Sequence, residues 1–235
     1  MTSDMARRTL LKQSAALVGG AALTTTAGVT LLAPPARAAG PSSNPERSRV
    51  LTGKPSANGW EMEKVVDDGG SVWHRPVPGS GMSAAIRIGD VEIALIHVIR
   101  RFLYEVDELR TGDIVGWRSP GKVHWGLSES NQASGTAVQI RPGHYPPGVR
   151  GGFFPHQELV VRDILADLEG IVRWGGDDTE PDESLFYLDV PPGDFRLPQV
   201  AGKIRGWNPT PGEGAGVIVD PSLPSRRRRA ATLGR

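Results

Sequence analysis

Among the side chains of this 235-residue chain able to bind a metal ion or move a proton, five histidines, His74, His97, His124, His144 and His156, and a run of carboxylates, Asp177, Asp178, Asp182 and Glu183, stand out. No two histidines form a His-x-x-x-His or His-x-His pair, the spacings that aim two imidazoles at one metal from one element. A lone histidine is more often a hydrogen-bonded or surface residue than a ligand, and His97, inside an apolar helical pattern, is read as structural. His144, His156 and Asp177 are the candidates for a rebuilt metal site. The chain has no cysteine, which excludes a disulfide scaffold, a Cys-ligated zinc, a thiol nucleophile and a lipid-modified cysteine anchor.

The elements that must position these groups follow from periodicity. Apolar residues at Leu95, Val98, Ile99, Phe102, Val106 and Leu109, with Arg100, Arg101, Glu105 and Glu108 on the other side, predict a helix beginning near Val91. A second helix is predicted from Pro155 to about Leu168, opened by a proline whose missing N–H costs nothing there. Met82–Ile88 reads as a strand running into a Gly89-Asp90 turn, and Thr136–Ile140, Ile171–Trp174 and Leu185–Val190 as further strands. Without a regular β-α-β alternation, the expected class is α+β, a mainly antiparallel sheet flanked by helices.

Charge divides the chain. Residues 1–38 carry a net +3 and residues 225–235 a net +5, which leaves −7 on residues 39–224. An acidic body argues against a nucleic-acid-binding domain. The N-terminus has Arg7 and Arg8 before Thr9-Leu10-Leu11-Lys12, an apolar run from Ser14 to Leu32, and Ala36-Arg37-Ala38, the order of a twin-arginine export signal cleaved after Ala38. An uncleaved anchor is the alternative, but Gly19, Gly20, Thr24, Thr25, Thr26 and Gly28 dilute the run. The expected organisation is therefore a signal at 1–38, a disordered linker at 39–58, a folded domain at 59–208 and a Pro/Gly-rich basic tail at 209–235. The expected location is secreted and cell-wall associated, with no transmembrane segment after cleavage. The Arg226–Arg229 run would give weak, salt-sensitive attraction to a polyanion such as wall teichoic acid, and no specific nucleic-acid partner is expected.

Ser130-Asn131-Gln132-Ala133-Ser134-Gly135-Thr136-Ala137-Val138-Gln139-Ile140 resembles a segment of the zinc D-alanyl-D-alanine carboxypeptidase family, whose DD-peptidase fold is shared by vancomycin-resistance dipeptidases and hedgehog-type domains. The family segment reads Ser-Asn-His-Ala-Ser-Gly-Thr-Ala-x-Asp, and its His and Asp both bind zinc. Seven positions is an odd separation, which on a regular strand puts the two on opposite faces, so the backbone must bend between them, and Gly135 suits that bend. Gly170-Ile171-Val172-Arg173-Trp174-Gly175-Gly176-Asp177 resembles the family's Val-Val-Arg-Trp-Gly-Gly-Asp. Arg101–Val106 with Gly112-Asp113 is similar to its preceding helix and turn. After a short loop the family reaches Asp-Glu-Met-His-Phe, with Glu as general base and His as third ligand. The same count here gives Glu183-Ser184-Leu185-Phe186-Tyr187, with Ser184 at the base position and Phe186 at the ligand position.

The resemblance thus implies a zinc centre substituted away, with Gln132, Gln139 and Phe186 at the ligand positions. Hydrolysis by one zinc needs about three N or O ligands and an open position for water. The expected protein is a pseudoenzyme with no catalytic residue and no cofactor, binding a peptidoglycan stem peptide or another peptide in the degenerate cleft through Arg118, Gln132, Ser134, Gln139, Asp177, Ser184 and Phe186. Arg118, in Gly116-Trp117-Arg118-Ser119, takes the place of the family's carboxylate-holding arginine. The alternatives are a cell-wall peptide hydrolase with a rebuilt metal site, and an interaction scaffold.

Overall fold

The computed structural model describes residues 45–217 and 219–233; the expected signal at 1–38 lies outside them. Among the described residues no helix is long and apolar enough to cross a membrane. The architecture is α+β, three small antiparallel sheets packed with helices. A short helix α1 (Pro45–Val50) leads into β1 (Leu51–Pro55), which pairs with β2 (Glu61–Glu63); β3 (Val72–Val77) pairs with β4 (Met82–Arg87). The largest sheet has the order β5-β6-β8-β7, from β5 (Ile114–Val115), β6 (Ala137–Ile140), β7 (Val172–Trp174) and β8 (Leu185–Leu188).

Helix α2 (Asp90–Glu105) buries Leu95, Val98, Ile99 and Phe102, as its periodicity predicts, and α3 (Pro155–Asp167) buries Val161 and Ile164. The first turn of α3 is tied by Gln157, whose side-chain oxygen accepts from the Phe154 N–H at 2.9 Å. Strands β6 and β8 are buried on both faces. Val138 and Phe186 look toward the helices, where the Phe186 ring meets Phe102 edge-on at 6.2 Å; Ala137, Leu185 and Tyr187 form a separate apolar cluster.

Two boundaries differ from expectation. The stretch 45–58 is not a linker. The Asn58 side-chain amide donates to the Thr136 hydroxyl and the Leu188 carbonyl at 2.9 Å each, Ala57 N–H donates to Ser130 Oγ at 2.9 Å, and buried Ser56 meets Ser134 Oγ at 2.9 Å. Polar composition concealed this stretch because it is held by hydrogen bonds rather than by an apolar stripe. Helix α4 (Arg196–Trp207), inside the expected domain, buries Leu197, Val200 and Ile204 on the main core, and the expected tail at 209–235 is not open: α5 (Pro224–Leu233) docks on α3. Arg226 and Arg229 of the basic run form ion pairs with Asp163 and Asp167.

Candidate functional site

A seven-residue 3-10 helix, Ser128–Ser134, carries Gln132 and ends at Gly135, whose φ of 70° is left-handed. A Cβ there would stand 2.8 Å from the Arg87 nitrogen, so only glycine fits. The bend brings residues of odd separation to one point: Gln132 Nε2 lies 3.4 Å from Gln139 Oε1 and donates to the carbonyls of Val115 at 3.0 Å and Gly116 at 2.9 Å. Turning the amide over would set its oxygen against two carbonyl oxygens, so this orientation is dictated by the backbone around it. Gln139 Nε2 then donates to Asp182 Oδ2 at 2.7 Å, while Asp182 Oδ1 accepts from the Ser184 N–H at 3.0 Å and from the Ser184 hydroxyl. The chain of contacts Gln132, Gln139, Asp182, Ser184 is buried, and Gln132 Oε1 is without a hydrogen-bond partner.

Above this centre opens a groove of about 710 Å³ whose lining includes Leu127, Glu129, Asp178, Glu180, Asp182 and Leu185. Asp178 is fixed by Ser128 Oγ at 2.6 Å and by the Tyr187 hydroxyl at 2.8 Å. Burial, with the neighbouring Asp178 carboxylate, pushes the Tyr187 phenol up to about 12, so it remains a proton donor. Glu129 is paired with Arg118 at 3.4 Å and contacts the His124 ring.

The other expected site residues fall in different places. Ser134 bonds Thr136 Oγ1 at 2.8 Å and Ser56, a knot that fastens the N-terminal stretch rather than a groove wall. Asp177 is exposed and ion-paired with Arg162; His144 is exposed, and His156 is exposed and stacked on Phe154. Phe186 is cross-strand to Val138 and faces the helical core, whereas Leu185 is cross-strand to Gln139 and shares its face. On the resemblance, a third ligand on the face of Gln139 would stand at Leu185, one residue before the position the count gives. In that register Glu183, one of the carboxylates the sequence singles out, would take the place of the motif's Glu. Its carboxylate accepts from the N–H groups of Gly151 at 2.7 Å and Gly152 at 2.8 Å, so it fastens a loop.

These side chains do not fit a zinc ion. Gln132 turns amide hydrogens toward its neighbours, Leu185 offers no lone pair, and among the described residues no three His, Asp or Glu groups converge as metal ligands. No family model matches the chain, and no curated protein or solved structure matches it.

Proposed function

We propose that the chain is an exported, noncatalytic relative of the zinc D-alanyl-D-alanine carboxypeptidases that holds a peptide, a cell-wall stem peptide in the first instance, in the groove above its glutamine pair. One observation carries the reading: Gln132 and Gln139, the two ligand positions of the resembled motif, meet at 3.4 Å and join Asp182, which lines the groove. A peptide presents amide donors and acceptors that need no metal to be recognised, and the carboxylates of Glu129, Asp178, Glu180 and Asp182 favour one that carries an amine. Arg118, paired with Glu129 at 3.4 Å and a third exposed, is free enough to exchange that partner for a peptide carboxylate.

Sedimentation with purified peptidoglycan tests the reading. The wild-type protein is expected to be retained in 0.5 M salt, and Leu185→Trp, which fills the groove from its floor, and Arg118→Ala are each expected to release it while far-ultraviolet circular dichroism stays unchanged. Retention of both folded variants at the wild-type level would remove the groove from the account.

A further inference from the structure

A second buried polar cluster lies between α2 and α3. The Arg101 side chain is 2% exposed; its Nη1 donates to Asp167 at 2.8 Å, its Nη2 to Asp163 at 2.9 Å, and its Nε to Glu105 at 2.6 Å. One guanidinium thus faces three carboxylates, an excess of two negative charges where Asp163 is 1% and Asp167 10% exposed. The neighbouring His97 adds no compensating charge, since burial lowers its pKa, and Lys203 is engaged by the Asp167 carbonyl and Glu169. Unpaired buried carboxylates are costly. The deficit is filled from far along the chain: Arg226 Nε donates to Asp163 at 2.7 Å and its Nη2 to the same carboxylate at 2.6 Å, while Arg229 binds Asp167.

Helix α5 brings little else to this contact. None of its described side chains is buried, and the approach segment lies over two small cavities, of about 180 and 260 Å³, lined by Val217 and Val219. It is therefore held by two arginines three residues apart, one helical turn, while Arg227 and Arg228 are exposed. The carboxylates are part of the folded body; the guanidiniums of Arg226 and Arg229 arrive on a helix none of whose described side chains is buried.

We propose that the α2–α3 surface is a docking site for a helix presenting two arginines one turn apart, and that the chain's own C-terminal helix is its resident, releasable occupant. The site selects guanidinium over ammonium, because Asp163 takes two parallel N–H donors from Arg226. Arg226 is 22% and Arg229 46% exposed, so salt reaches these pairs while it leaves Arg101 at 2% untouched.

Hydrogen exchange on the full chain, read peptide by peptide by mass spectrometry, tests the latch. Between 0.1 M and 1 M NaCl, where the screening length falls from about 10 Å to about 3 Å, exchange across residues 224–233 is expected to rise about tenfold while β6 and β8 stay protected. Arg226→Gln with Arg229→Gln should exchange rapidly at both salt levels, and Arg227→Gln with Arg228→Gln should behave as wild type. A labelled synthetic peptide of residues 219–233 should bind the Arg226→Gln, Arg229→Gln chain, and the same peptide carrying both glutamines should not. Protection of α5 that survives loss of both arginines overturns the proposal. So does its loss only together with β6 and β8, which would make α5 part of the cooperative core, and so does failure of the wild-type peptide to bind the opened chain.

Discussion

Two buried polar centres among the described residues are built on opposite principles. The centre beneath the groove is an amide network, in which one carboxylate, Asp182, is answered by neutral donors from Gln139 and Ser184 close by in the fold. The centre between α2 and α3 is ionic, three carboxylates against three guanidiniums, and two of those guanidiniums come from sequence positions more than 60 residues away. A network of neutral donors fixes shape without placing a further charge inside the fold. An ionic one couples distant segments, so losing one of its parts exposes the others to an uncompensated charge.

The largest effect should come from the register at β8. Gln132→His and Gln139→Asp combined with Leu185→His set three ligands on one face, and the protein is expected to go from no zinc to about one ion per chain by mass spectrometry. The same pair combined with Phe186→His should take up none and should lose about 3 kcal/mol by denaturant unfolding, because it buries an imidazole where a phenyl ring meets Phe102. Equal zinc uptake by the two would break the assignment of faces.

Next in size is Arg101→Met, which leaves Glu105, Asp163 and Asp167 facing one another with the partly exposed Arg226 and Arg229 as their remaining guanidinium partners. A cost of about 3–5 kcal/mol in urea unfolding is expected. A cost below about 1 kcal/mol would show that the cluster is solvated after all.

Acid should attack the same centre. Burial alone would raise the Asp167 pKa, but the adjacent His97 ring and the charges of Arg101 and Arg226 more than offset it and bring it from 3.8 to about 2. A carboxyl whose folded pKa is depressed stabilises the fold above its unfolded value and loses that contribution as pH falls through the folded one. The fold should therefore keep this contribution at pH 5 and lose it between about pH 4 and pH 2, by about 2 kcal/mol in all by urea unfolding, with the share owed to Arg226 read as faster exchange of residues 224–233. Loosening already complete at pH 4 would contradict the depressed value.

What was legible in the sequence follows the same division. The odd spacing of Gln132 and Gln139 with Gly135 between them announced a bend that returns both to one point, because a left-handed glycine and the period of a strand are local facts. The phase of β8 was not legible: Leu185–Leu188 is buried on both faces, so no polar alternation marks which residue looks where, and counting across a loop does not set which residue faces Gln139. Helix α4 was hidden by Pro198, Gly202 and Gly206 within it, and is held by packing Leu197, Val200 and Ile204 on the core. The arginine run read as a tail because its helix has no apolar stripe; what orders it lies in Asp163 and Asp167, invisible to any window of sequence around it.

The smallest effect sharpens the contrast most. Gln139→Leu removes the donor to Asp182 and the acceptor 3.4 Å from Gln132. Asp182 keeps both bonds from Ser184 and lines the open groove, where water can replace the missing amide, so the expected cost is about 1–2 kcal/mol rather than that of an orphaned charge. Because the lost side chain is a neutral amide and Asp182 keeps its donors from Ser184, that cost should be the same in 0.1 M and 1 M NaCl. The Arg226→Gln, Arg229→Gln cost, by contrast, should shrink with salt, since salt weakens in the wild type the pairs that the variant lacks. Urea midpoints for the two variants at both salt levels make the comparison directly, and a salt-dependent Gln139→Leu penalty would mean that the groove centre, too, is held by charge.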